Sequence, residues 1–159
     1  AWVYADFPQD LQNFYEHQSP TLSTSFAAAY PGFKDFYKPG GWGNTMFIIN
    51  HNGTATLQTT LNLAKSSKLS NLQLVTWNDF GEGTMIEPTL EFNYSLLETI
   101  QQYTGVSYTK KELQLIYKWY TLRKKYKSDS AVEQKLLQAY YYLVSLDVAN
   151  ASDIISSIP

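Results

Sequence analysis

Apolar positions change their period part-way along this chain of 159 residues. Up to about residue 93 many come in short runs: Trp2-Val3-Tyr4-Ala5, Phe26 to Tyr30, Met46 to Ile49, and Leu72-Gln73-Leu74-Val75. Short apolar runs bounded by Gly, Pro, Asn or Asp read as strands. The spacing predicts strands over 2–6, 25–30, 46–49 and 72–77. The alanines of the second run favour helix by themselves, but Pro31-Gly32 stops the run and small side chains suit a crowded barrel interior. Between the runs the period lengthens to three and four. Leu11, Phe14 and Tyr15 predict a short helix over 10–17, and Leu57, Leu61 and Ala64 predict one over 54–68. Residues 33–45 read as a loop rich in Gly, Lys and aromatics. Strand followed by helix, repeated, is the pattern of a parallel α/β sheet.

From residue 94 the helical period persists. Tyr94 to Tyr103 predicts a helix ended by Gly105. Thr109 reads as the cap of a longer helix to about Lys127, with Leu113, Ile116 and Tyr120 on one stripe. Ser130 reads as the cap of another, carrying Val132, Leu136, Ala139, Tyr140 and Leu143. A last short turn fits Asn150 to Pro159. The predicted organisation is an α/β domain over 1–107 and a helical extension over 108–159. The 109–127 helix is basic, through Lys110, Lys111, Lys118, Arg123, Lys124, Lys125 and Lys127. Such a charge run reads as a solvated face, or as a site for an anionic ligand.

Composition narrows the function classes. With 44% hydrophobic residues the chain can bury a core. A net charge of −2 argues against a nucleic-acid binder that relies on general electrostatics. No cysteine is present, so disulfides and thiolate metal sites are excluded, and two histidines make no zinc cluster. Gly40-Gly41-Trp42-Gly43 lacks the Lys-Ser/Thr sequel of a phosphate loop, and no G-x-S-x-G occurs. Neither a cofactor nor a metal is expected. No apolar run reaches the roughly 18 residues of a membrane span. The abrupt strand-like start predicts a segment upstream, and with it any targeting sequence. Asn52, Asn93 and Asn150 begin N-x-S/T sequons, which matter in a eukaryotic secretory route.

The densest candidate chemistry lies in residues 75–88, V-T-W-N-D-F-G-E-G-T-M-I-E-P. Asp79 and Glu82 stand three residues apart after the fourth strand, and Gly81 and Gly83 mark a sharp turn. Paired carboxylates are what glycoside hydrolysis needs, one to protonate the leaving oxygen and one to act as base or nucleophile. The competing reading makes Asp79 a turn residue and Glu82 an exposed one. Trp77 forms the floor of the site or fills the core; Asn78 bonds a hydroxyl or stabilises the turn. Trp42, hinged by glycines, is the best candidate for a sugar-stacking platform, core burial being the alternative. His51 bonds substrate or holds structure. Tyr4 and Asp6 at the end of the first strand, and Tyr30 at the end of the second, share the face of the pair if the strands belong to a barrel.

The stretch 75–88 also resembles the catalytic motif of glycoside hydrolase families 71 and 99. Trp77-Asn78-Asp79-Phe80-Gly81-Glu82 is closer to family 71, the endo-α-1,3-glucanases, and Gly83-Thr84-Met85-Ile86-Glu87-Pro88 to family 99, the endo-α-mannosidases and mannanases. Tyr30-Pro31-Gly32-Phe33 resembles a strand end of the same families. The resemblance implies the C-terminal half of a (β/α)8 TIM barrel followed by an α-helical extension, with the N-terminal half of the barrel as its partner. It implies Glu82 as general acid, Asp79 as base, and Glu87 as a residue that binds a sugar hydroxyl or orients Glu82. The implied substrate is an α-linked polysaccharide or oligosaccharide, and the implied location is secreted, periplasmic or cell-surface. A carbohydrate-binding protein with a degenerate site is the rival reading, and a helical interaction module in 109–159 a third.

Overall fold

The computed structural model describes residues 5–159, which divide into two compact units at the 105/106 boundary. The strand expected at 2–6 lies largely outside the described residues; Ala5 and Asp6 are exposed in a bend.

In the first unit, helix α1 (Gln9–Asn13) continues into a wider turn over Phe14–Gln18 and a tight one over Ser19–Thr21. The expected helix over 10–17 is therefore regular for little more than one turn. Strand β1 (Ala27–Ala29) is fully buried and pairs in parallel with β4 (Leu72–Leu74), in the register Ala27 with Leu72 and Ala29 with Leu74. A parallel pair needs a crossover. Helix α2 (Ala55–Ser67) supplies it, laying Leu57 and Leu61 against Ala29, Ile86 and Leu96. The alanines allow this close approach, and the sheet context overrides their helical preference.

Strand β2 (Phe33–Lys34) pairs antiparallel with β3 (Ile48–Ile49), so the expected third strand closes a hairpin and does not join the parallel pair. The reason is local. Asp35, 3% exposed, accepts the Tyr37 N–H at 3.2 Å and the Met46 N–H at 2.7 Å, which ties the two ends of the intervening loop together. Strand β4 is shorter and more exposed than its apolar run predicts, with Leu74 facing solvent.

The two edges of the parallel pair differ. Tyr15 Oη accepts the Ala28 N–H at 2.9 Å and lies 3.1 Å from the Ala28 carbonyl, closing the outer edge of β1. Ladder alternation turns the N–H and C=O of Leu72 and Leu74 away from β1, and no described residue bonds them. At the end of β1, the Thr60 hydroxyl accepts the Tyr30 N–H at 3.1 Å and sits 3.0 Å from the Tyr30 carbonyl. Helix α3 (Ser95–Thr104) ends at Gly105, which takes the left-handed conformation of a C-terminal cap.

The second unit is three helices, α4 (Lys110–Lys125), α5 (Ser130–Val144) and α6 (Val148–Ser156), around Leu122, Leu136, Ala139, Ala151 and Ile155. Thr109 caps α4 in a capping box with Glu112. Asp129 caps α5 by accepting the N–H groups of Ala131 and Val132, so Ser130 is the first helical residue and not the cap. Among the described residues no helix is long and apolar enough to cross a membrane.

Candidate active site

Residues 75–87 fold back on themselves as a tight loop at the end of β4. The Thr76 N–H donates to the Thr84 carbonyl at 2.8 Å, Ile86 N–H to Thr76 at 2.9 Å and Glu87 N–H to Trp77 at 2.9 Å. The hydroxyls of Thr76 and Thr84 are 2.9 Å apart, and Thr76 Oγ1 accepts the Asp79 N–H at 3.1 Å. Asp79 Oδ1 in turn accepts the Glu82 N–H at 3.0 Å. One oxygen of Asp79 thus holds the loop, as the turn reading requires. Its other oxygen makes no hydrogen bond within the described residues.

The loop is docked on the end of β2 and the residues just after it. Lys34 N–H donates to the Glu82 carbonyl and Phe36 N–H to the Gly81 carbonyl, each at 2.9 Å. Gly83 is required here, since its φ is +66° and an added Cβ would lie 2.8 Å from the Lys34 carbonyl oxygen. His51 supports the turn from behind: its Nε2 lies 2.8 Å from the Gly83 carbonyl and its ring stacks on Phe92, centroids 5.0 Å apart. Burial pushes the imidazole pKa down, partly offset by that carbonyl, so the ring is neutral at pH 7 and donates through Nε2–H. Gly32 makes room for the ring, because a Cβ there would sit 2.8 Å from it.

This docking brings Tyr37 to Glu82. Tyr37 Oη donates to Glu82 Oε1 at 2.5 Å. That hydrogen bond, with burial and the charges of Glu82, Asp79 and Asp35, pushes the phenol up to about 12. The phenol is therefore a donor at any physiological pH, and it fixes the carboxylate while no other described residue bonds the Glu82 side chain. Trp42 packs edge-on to Tyr37, centroids 5.1 Å apart at 77°, and its backbone N–H donates to the Tyr37 carbonyl at 2.8 Å. At 71% exposure Trp42 presents its indole to solvent beside Tyr37.

The residues singled out from the sequence fall into three groups. Asp79 and Glu82 come together in the loop, Trp42 reaches Glu82 only by way of Tyr37, and Trp77 (56% exposed) and Asn78 are exposed on the same loop. His51 and the half-buried Glu87 belong to the scaffold of the loop through Gly83 and Trp77. Tyr30 is elsewhere: it is 2% exposed, packed edge-on to Phe7 within the core of Leu11, Phe33 and Ile49. Asp6 is exposed and bonded through its backbone to Asp10, and Tyr4 lies outside the described residues. Sequence reasoning missed Tyr37, Asp35 and the Thr76–Thr84 pair. Tyr37 is 45 residues from Glu82 in sequence, and no spacing rule links them.

No group of three or more His, Asp or Glu able to hold a metal ion occurs among the described residues. Compared with known proteins, the chain matches no family model, no curated protein and no solved structure.

Proposed function

We propose that the loop 75–88 is the catalytic loop of a glycoside hydrolase acting on an α-linked polysaccharide or oligosaccharide of the α-mannan or α-1,3-glucan type. The observation that carries this reading is the carboxylate of Glu82, held by a protonated phenol beside an exposed indole. A sugar ring stacked on Trp42 through its apolar C–H face brings a glycosidic oxygen within reach of Glu82. In its protonated form, with the proton on Oε2 and the Tyr37 hydroxyl on Oε1, Glu82 acts as the acid that protonates this oxygen as the C–O bond breaks, and the Asp79 carboxylate takes the proton of the hydroxyl, from water or from the sugar itself, that bonds to the anomeric carbon. Tyr37 holds the orientation of Glu82. The resemblance to families 71 and 99 supports the same assignment, and with it the C-terminal half of a (β/α)8 barrel. On that reading the edge of β4 that no described residue bonds is where further strands pair, and the substrate is met in a secreted, periplasmic or cell-surface setting.

One observation favours a second reading, a carbohydrate-binding protein without turnover. Asp79 already commits one oxygen to the Glu82 N–H. Glu82→Gln separates the two, assayed by reducing-sugar release and by binding to α-mannan and α-1,3-glucan. A hydrolase loses turnover by about 10²–10⁴-fold and keeps binding. Sugar binding with no turnover in the parent protein would establish the second reading, and neither binding nor turnover would reject both.

A further inference from the structure

The helical unit carries a surface that the loop 75–88 does not explain. Residues 106–159 hold eight Lys and Arg against five Asp and Glu, a net +3, whereas the first 105 residues hold four against nine, a net −5. On α4, Arg123 and Lys124 have no carboxylate partner among the described residues, the Lys125 ammonium donates to the Pro159 carbonyl oxygen at 3.2 Å, and each of the three lies over an aromatic ring. The Arg123 guanidinium is 5.1 Å from the centre of Trp119, and the Lys124 ammonium 4.5 Å from that of Tyr120. The i, i+4 spacing on the helix creates both contacts. From α5, Tyr140 stacks on Trp119, centroids 5.7 Å apart at 26°, and Tyr141 (61% exposed) meets Tyr140 edge-on. A cleft of about 310 Å³ lies here, lined by Trp119, Arg123, Glu133, Leu137 and Tyr140.

We propose that this face of α4 and α5 binds an anionic glycan, a polysaccharide whose sugar units bear phosphate or carboxylate groups. The flat, exposed faces of Tyr140 and its neighbours offer stacking area for the C–H faces of pyranose rings. The guanidinium of Arg123 keeps its donors while stacked on Trp119 and presents them to an anionic substituent in a bidentate fork. Glu133, in the same cleft, accepts from sugar hydroxyls. The preference for a glycan over a nucleic acid rests on the reading of the loop 75–88; the cation–aromatic surface stands without it.

The test is affinity electrophoresis of the whole chain, which requires no turnover, so its failure leaves the hydrolase reading untouched. The gels contain phosphorylated mannan, a polyuronate, neutral mannan or oligothymidylate. Retardation by phosphorylated mannan or the polyuronate, at least tenfold stronger than by neutral mannan and persisting in Glu82→Gln, is the expected result. Arg123→Gln and Tyr140→Ala should each weaken it about three- to tenfold, with unchanged circular dichroism. Added salt should weaken the anionic arm. Equal retardation by neutral mannan, stronger retardation by oligothymidylate, no retardation at all, or indifference to both substitutions would each overturn the proposal.

Discussion

Replacing Gly83 by alanine tests whether the loop is docked as described. Two costs add at this position. The backbone is left-handed, φ +66°, which costs an L-residue about 1–2 kcal/mol. The new methyl would also stand 2.8 Å from the Lys34 carbonyl oxygen and 3.3 Å from the Lys34 nitrogen, both backbone atoms that cannot rotate away. Relief requires the strand to retreat, which breaks the Lys34 N–H bond to the Glu82 carbonyl, worth about 1 kcal/mol. The sum is about 2–4 kcal/mol. For a unit of about 100 residues each kcal/mol lowers the melting temperature by about 4–8 °C, so thermal denaturation followed by circular dichroism should show a fall of about 8–32 °C. Gly53 provides the control. It has the same φ of +66° but nothing within 4 Å of an added Cβ, so Gly53→Ala should incur only the backbone cost. If the two variants melt within about 2 °C of one another, the close approach of Lys34 to the turn is wrong. The route by which Tyr37 reaches Glu82 would then be wrong too.

Other outcomes follow from single contacts. Tyr37→Phe should lower kcat about 10- to 100-fold through misorientation of Glu82 while leaving KM nearly unchanged; the double variant with Glu82→Gln should be no slower than Glu82→Gln alone. Because the folded phenol titrates at about 12, above its ordinary value of 10.0, the native state keeps this proton longer than the unfolded chain. Its contribution is fully present below about pH 10 and is lost as pH rises through about 12, and a 295 nm titration of Tyr37→Phe should lack one late-ionising tyrosine. Asp35→Ala should destabilise the first unit by about 2–4 kcal/mol in urea denaturation, since it strands the N–H groups of Tyr37 and Met46, with Asp35→Asn intermediate. Thr109→Ala should cost the helical unit about 1 kcal/mol in the same assay. The Thr109 N–H holds the Glu112 carboxyl below its ordinary value, so the stabilisation from this cap is present above about pH 4.5 and is lost as pH falls through the lower, folded value.

Local chemistry determined much of this molecule. The three-and-four spacing of Leu57, Leu61 and Ala64, and of Leu136, Ala139 and Leu143, placed α2 and α5. Thr109 marked where α4 begins, because a cap acts within one turn of backbone. Gly81, Gly83 and the carboxylates between the threonines were legible as a turn carrying acids. What sequence could not determine depends on residues far apart in the chain. Ile48 and Ile49 look like one more parallel strand until Asp35 gathers both ends of its loop and closes the hairpin. Tyr30 ends a strand but turns into the core, because Leu11, Phe33 and Ile49 surround it there. Tyr37 was one aromatic among many until the backbone at 34–36 docked on 81–82 and set its hydroxyl against Glu82. A pattern of period 2 or 3.6 encodes which face of an element is apolar. Which partner that face meets, and which distant side chain comes with it, is decided only when the elements pack.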